Sequence, residues 1–168
     1  ARELSAVQTL LGPLDGLDIL DIGCGAGFYT RFCLAQGSNE ITAIDFSPRM
    51  IEQLPDHGVR GIVSNAADFK LEKKFQKIIC AGLLEFADKP QDILENARQH
   101  VSADGILICL VPPENLAGHL YRKFHQRHNI NISLFSNSAF GEIAHQAGWR
   151  IDSKLTVFPY TNVYRLKA

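Results

Sequence analysis

Asp18-Ile-Leu-Asp-Ile-Gly-Cys-Gly-Ala-Gly-Phe28 decides the reading of this chain. A short apolar run opens into glycines at 23, 25 and 27, and a helical pattern follows from Phe28 to Gln36, closed by Gly37. Glycines at that spacing let the backbone turn tightly and approach a ligand closely. Working outward, further apolar runs at Glu40–Asp45, Val59–Ser64, Lys77–Gly82 and Gly105–Val111 read as strands. Helices are expected between them, one started by Ser47-Pro48 and running to about Leu54, another over Asp88–Val101. Strands alternating with helices at this spacing mean βαβ units and a parallel sheet. The runs are continuously apolar, as they must be when helices cover both faces.

After Pro112-Pro113 the pattern changes. Leu116, Leu120 and Phe124 share a helix face, Ser136 to Gln146 reads as a helix, and Trp149–Phe158 and Val163–Lys167 read as strands joined by a short turn. Such a pair is antiparallel. The expected fold is therefore α/β, Rossmann-like: a mostly parallel seven-stranded sheet, helices on both faces and a C-terminal antiparallel hairpin. The 168 residues make one domain over 1–168. Its first 17 residues are expected to be a shortened N-terminal helix, and residues 114–135 a cover over the substrate.

Composition narrows the function. With 46% hydrophobic and 21% charged residues and a formal net charge of −1, neither disorder nor a global field directed at nucleic acid is indicated. Cys24, Cys33, Cys80 and Cys109 form no C-x-x-C pair and sit mostly in apolar runs, so buried free thiols in a reducing cytoplasm are expected.

The glycine loop alone fits either a ligand site or a plain tight turn. Two features sharpen it. Phe28 stands where the dinucleotide fingerprint needs its third glycine, and Asp45 ends the second strand, where a carboxylate can accept from both hydroxyls of a ribose. Asp45 also suits a helix-cap acid before Ser47.

Leu20–Thr30 together with Ile41–Met50 resembles the class I S-adenosylmethionine-dependent methyltransferases, in particular the small-molecule, type 11-like branch related to quinone-biosynthesis enzymes. The resemblance implies S-adenosyl-L-methionine as cofactor, S-adenosyl-L-homocysteine as product and a small-molecule methyl acceptor. Asp21 and the loop Gly23, Cys24, Gly25 and Gly27 would hold the methionine end, Asp45 the ribose, and Phe46 and Met50 the adenine. Asn65-Ala66 stands where the family usually has Asp-Ala beside the adenine amino group, and Cys80-Ala81 would offer backbone contacts to the methionine amino group. The alternative is a methyltransferase-like subunit that binds the cofactor and acts only with a partner.

Ala81-Gly-Leu-Leu-Glu-Phe86 lacks the D/N-P-P-Y/F motif of the nucleobase amino-methylating enzymes, so DNA is not an expected partner. It resembles instead the Leu-Glu-His stretch of quinone O-methyltransferases. Only Glu85 of that metal cluster is present, and one carboxylate makes no metal site. Candidates for handling the acceptor are Glu85, Tyr29, Tyr121 and His125. Tyr121, His125 and His128 fall on one face of a helix that also carries Arg122, Lys123 and Arg127. That face reads as a solvated basic surface, as a substrate cover whose His or Tyr takes a proton, or as a two-ligand metal site.

Overall fold

A computed structural model describes residues 2–168. Seven strands form one sheet: β1 Ile19–Ile22, β2 Ile41–Asp45, β3 Val59–Val63, β4 Phe75–Ala81, β5 Val101–Val111, β6 Arg150–Val157 and β7 Thr161–Lys167. Their order is β3-β2-β1-β4-β5-β7-β6, with β7 antiparallel to both β5 and β6. The other pairings are parallel. Strand order reverses between β1 and β4, so the loops leaving those strands diverge and open a crevice at their carboxyl ends.

Alternate residues of the central strands feed two cores. Ile78 and Cys80 of β4 and Leu107 and Cys109 of β5 pack with Leu94 and Ala97 of α4 (Pro90–His100) and with Phe140 and Ala144 of α6 (Asn137–Gln146). Ile79, Ile106 and Ile108 face the other way, onto Val7 and Leu11 of α1 (Arg2–Leu11) and Cys33 of α2 (Phe28–Ala35). Trp149 locks α4 from the edge, its Nε1 donating to the Leu94 carbonyl at 2.8 Å. All four cysteines are free and buried. No helix among the described residues is long and apolar enough to cross a membrane.

Element ends differ from expectation in two places. The helix after β2, α3, spans only Pro48–Ile51, because the chain tightens there into i→i+3 bonds, Gln53 to Met50 and Leu54 to Ile51, ahead of Pro55. β5 starts at Val101 rather than Gly105. The pairing jumps from Phe75↔Val101 to Lys77↔Ile106, so a bulge absorbs the extra residues.

The segment between β5 and α6 is a closed excursion. Phe135 N donates to the Pro112 carbonyl at 3.0 Å and Glu114 N to the Phe135 carbonyl at 3.1 Å, stapling its ends together. Within it, α5 (Leu116–Gln126) is capped by Asn115, whose side chain accepts from Gly118 N. The α5 face carrying Leu116, Leu120 and Phe124 is exposed, so the outer surface is apolar as well as basic.

Candidate functional site

The glycine loop is built almost wholly from backbone bonds. Gly23 N and Cys24 N both donate to the Ile44 carbonyl, at 2.8 and 3.0 Å, which ties the loop to the end of β2. Asp45 completes the tie, Oδ2 accepting from Gly25 N and Oδ1 from Ser47 N, each at 2.9 Å. Asp45 thus caps the turn at Ser47, and each of its oxygens keeps a second lone pair. Gly23 has φ 71°, and a Cβ there would stand 2.7 Å from the Leu83 side chain. Both facts exclude a larger residue where the β1 and β4 loops meet. A Cβ at Gly25, by contrast, would point into open space, so the loop presents a bare backbone wall.

Two cavities flank this meeting point. The first, about 330 Å³, is lined by Gly23, Asp45, Phe46, Asn65, Ala66 and Leu83 among others. Phe46 stands 78% exposed at its rim. Asn65 Oδ1 accepts from Ala67 N at 3.0 Å, holding the turn after β3. The second cavity, about 480 Å³, is lined by Glu3, Tyr29, Ala81, Glu85, Tyr121 and Tyr160, with Leu110, Val111 and Pro112 behind them. Gly82 lines the second and Leu83 the first, so the β4 loop is the ridge between them.

Other expected cofactor residues lie behind these surfaces. Asp21 is buried under the loop and accepts from Thr30 Oγ1 at 2.6 Å, bracing β1 against α2. Burial, with the charge of Asp45 adding to it, pushes its carboxyl up to about 6. Cys24 points its Sγ at the Gly25 carbonyl, and burial raises its thiol. Cys80 is fully buried opposite Cys109 on β5, consistent with a core side chain. Gly27 caps α2 in the left-handed conformation. Met50 lies on α3 outside the lining of the first cavity, its sulfur 3.8 Å from Gln53 Nε2.

The second cavity has acids at two walls and no Lys, Arg or His among its described lining residues. Glu3 is held at both oxygens: Oε1 accepts from the Tyr29 hydroxyl at 2.8 Å and Oε2 from Thr161 Oγ1 at 2.7 Å. Glu85 is 5% exposed, and its Oε2 has no hydrogen-bond partner. Burial, then the neighbouring charge of Glu3, pushes its carboxyl up to about 7. Burial, then the charge of Glu3, raises the hydroxyl of Tyr29, and burial, then the charges of Glu85 and Glu3, raises that of Tyr121. His125 stacks edge-on against Tyr121 and Phe86, at 4.5 and 5.9 Å, and is not part of the lining. His128 stacks on Phe124 instead.

Sequence reasoning missed Glu3 and Thr161. Glu3 shares the apolar stripe of α1 with Ala6, Val7 and Leu10, at i, i+3, i+4 and i+7, and an acid on a buried stripe was the available signal. Through Glu3, α1 forms one wall of the second cavity, and Tyr121 of α5 forms another.

A family model described as a methyltransferase domain matches residues 2–154. The chain belongs to this methyltransferase family. The methyltransferase domain is 34% identical over 111 residues to the ubiquinone biosynthesis O-methyltransferase of Rickettsia canadensis (strain McKiel), covering 62% of this chain and 47% of that one. It is 29% identical over 110 residues to the malonyl-[acyl-carrier protein] O-methyltransferase of Bacillus cereus, covering 62% and 41%. The chain thus spans about half the length of the curated relatives it matches. In fold, it superposes on an S-adenosylmethionine-dependent methyltransferase from Mesorhizobium loti with a TM-score of 0.83 at 15% identity, covering 100% and 98%. The magnesium protoporphyrin IX methyltransferase of Synechocystis PCC 6803, solved with bound SAH, gives 0.78 at 18%, covering 99% and 83%.

Proposed function

We propose that this chain binds S-adenosylmethionine across the carboxyl ends of β1, β2 and β4 and transfers its methyl group to a small-molecule acceptor held beneath α1 and α5. The observation that carries this reading is the pair of cavities sharing one ridge at the switch point. One offers a carboxylate and a bare aromatic ring, the other an apolar chamber. The residues present fit the cofactor. Asp45 keeps lone pairs for a ribose, Phe46 and Ala66 offer flat apolar walls for an adenine, and Asn65 has unused donor and acceptor capacity for its edge. The Gly23–Gly27 wall and the backbone at Ala81–Gly82 would hold the methionine end, over the buried Asp21. Bound there, S-adenosylmethionine supplies a methyl group already activated by its sulfonium.

The protein's part is alignment and exclusion of water, and alignment is worth about 7–11 kcal/mol of barrier. Glu3, Tyr29 and Thr161 tie α1, α2 and β7 into one rigid wall. Tyr121 brings α5 over the chamber, which supports residues 114–135 as the cover, with α1 sharing that work. Calorimetry tests the reading: S-adenosylhomocysteine binds saturably and NAD does not. Saturable NAD binding with no response to S-adenosylhomocysteine contradicts it.

A further inference from the structure

Four buried side-chain polar atoms lack a hydrogen-bond partner among the described residues: Glu85 Oε2, Asn96 Oδ1, Ser102 Oγ and Arg165 Nε. Arg165 Nε has an acid beside it, Asp152 Oδ2 at 3.2 Å. Asn96 and Ser102 line neither cavity. Glu85 alone of the four residues lines the acceptor chamber, and its buried Oε2, without a partner, carries a stability cost that the fold retains at this position.

Its position is fixed. Glu85 sits on the 3-10 turn Leu84–Phe86, and its carbonyl accepts from Ser133 N at 2.8 Å, so the returning arm of the α5 excursion holds it. Glu85 Oε1 lies 3.8 Å from where a Cβ on Gly82 would stand. The carboxylate therefore flanks the ridge between the two cavities, the line a transferred methyl must cross.

Resting on the reading above, we infer that the chamber takes an apolar acceptor presenting a hydroxyl, that Glu85 accepts that hydroxyl's proton, and that the chamber rejects carboxylate acceptors. The discrimination follows from the charges. A carboxylate entering here meets Glu85 and Glu3 with no cation in the lining, and an unpaired buried charge is strongly disfavoured. A hydroxyl instead donates to the Glu85 carboxylate, which lines the chamber. An ammonium group is the weaker fit, because burial keeps Glu85 partly neutral near pH 7 and so reduces the charge that would pair with it. Leu110, Val111, Pro112, Tyr121 and Tyr160 suit a flat ring, and a phenolic hydroxyl is acidic enough for a carboxylate raised in this way to assist.

In the step itself, the acceptor O–H bond breaks with its electron pair left on oxygen, and the proton passes to Glu85. The oxygen forms the new O–CH3 bond as the C–S bond breaks and its pair returns to sulfur, turning sulfonium into thioether. Glu85 then releases its proton to solvent. The sulfonium charge is thus lost with the methyl, Glu85 returns to carboxylate, and one proton leaves to solvent per turnover.

The test uses the protein saturated with S-adenosylhomocysteine and titrated with 4-ethylphenol, 4-ethylbenzoate or 4-ethylbenzylamine. The phenol is expected to bind, the benzoate to bind about tenfold more weakly or worse, and the amine to bind more weakly than the phenol. Glu85→Leu should narrow the preference for phenol over benzoate, with Glu3 and the cation-free lining keeping part of it, while both Glu85→Leu and Glu85→Gln keep S-adenosylhomocysteine affinity within about twofold. Methyl transfer to the phenol should fall as pH drops through about 7, and Glu85→Gln should lose that pH dependence with most of its rate. Benzoate or amine binding as tight as phenol, no phenol binding at its solubility limit, or an unaltered pH profile in Glu85→Gln would each overturn the inference. So would a loss of S-adenosylhomocysteine affinity in Glu85→Gln, which would assign the carboxylate to the cofactor. Failure of the wild-type protein to bind S-adenosylhomocysteine at all would instead sink the cofactor reading. The wild-type selectivity ratio needs no variant, so misfolding of a variant leaves the inference decidable.

Discussion

The two cavities at the crevice are furnished by opposite means. On the Asp45 side the polar groups are already satisfied within the protein: Gly23 and Cys24 on the Ile44 carbonyl, Gly25 and Ser47 on the Asp45 carboxylate. That wall is prebuilt, and a ligand adds to it. On the Glu85 side the wall is apolar, its acids face no cation, and one carboxylate oxygen is bonded to nothing. That wall is incomplete until something enters. On the proposed reading, the contrast divides the labour: a prebuilt cradle for the cofactor, and an apolar acidic chamber for the acceptor.

The sharpest break in this comparison is Asp45→Ala. It removes two backbone tethers and, on the proposed reading, the ribose acceptor together. We expect S-adenosylhomocysteine affinity to fall by about 4 kcal/mol, close to a thousandfold, by calorimetry. An unchanged affinity in a folded variant would reduce Asp45 to a cap for Ser47.

Glu85→Gln should act in the opposite sense on stability. The raised Glu85 carboxyl keeps its proton in the folded chain up to about 7, whereas the unfolded chain releases it near 4.5. Folding therefore takes up a proton in that window, and native stability falls as pH rises from about 4.5 to about 7. Above it the full cost applies, about 3 kcal/mol. Asp21, raised from 3.8 to about 6, adds a decline of the same sign at lower pH. Thermal unfolding at pH 8 should show Glu85→Gln more stable than wild type, with a flatter pH profile between 5 and 7. A less stable variant would mean that Glu85 is a structural residue.

Glu3→Ala should have a smaller effect, a loss of about 1–2 kcal/mol from two orphaned hydroxyls, lowering Tm by a few degrees. Since Glu3 belongs to the acceptor side, S-adenosylhomocysteine affinity should change less than in Asp45→Ala. An equal loss would merge the two regions into one. The smallest effect is expected from Tyr121→Phe, which keeps the ring over the chamber and removes one hydroxyl, within about 0.5 kcal/mol of stability by chemical denaturation. A larger loss would reveal a bond that holds α5 down.

The same contrast explains what the sequence disclosed. The polar cradle of the Asp45 side comes from two short stretches, Asp21–Gly27 and Asp45–Ser47, whose residue types are dictated locally by turns and caps, with Asn65, Ala66 and Leu83 closing the cavity. The sheet was legible for a related reason, because strands buried on both faces are predominantly apolar, as Ile19–Ile22 and Ile41–Asp45 are apart from Asp21, Thr42 and Asp45. The Glu85 side is assembled from residues 3, 29, 85, 121 and 161, which meet only because β7 enters beside β5 and α1 folds back across it. No local pattern links Glu3 to Thr161. Helix and strand ends failed where a later event decided them, Pro55 for α3 and the Ser102–Gly105 bulge for β5.

Amide spectra of uniformly ¹⁵N-labelled protein titrated with S-adenosylhomocysteine test the central claim, that one cofactor spans the ridge with its nucleoside on the Asp45 side. The expected result is saturable shifts at Gly23–Gly27, Asp45–Ser47, Asn65–Ala67 and Ala81–Gly82, with Leu116–His128 moving mainly when a phenolic acceptor is added. Shifts confined to α5 and the Glu85 chamber, with the glycine loop and Asp45 unmoved at saturation, would contradict it.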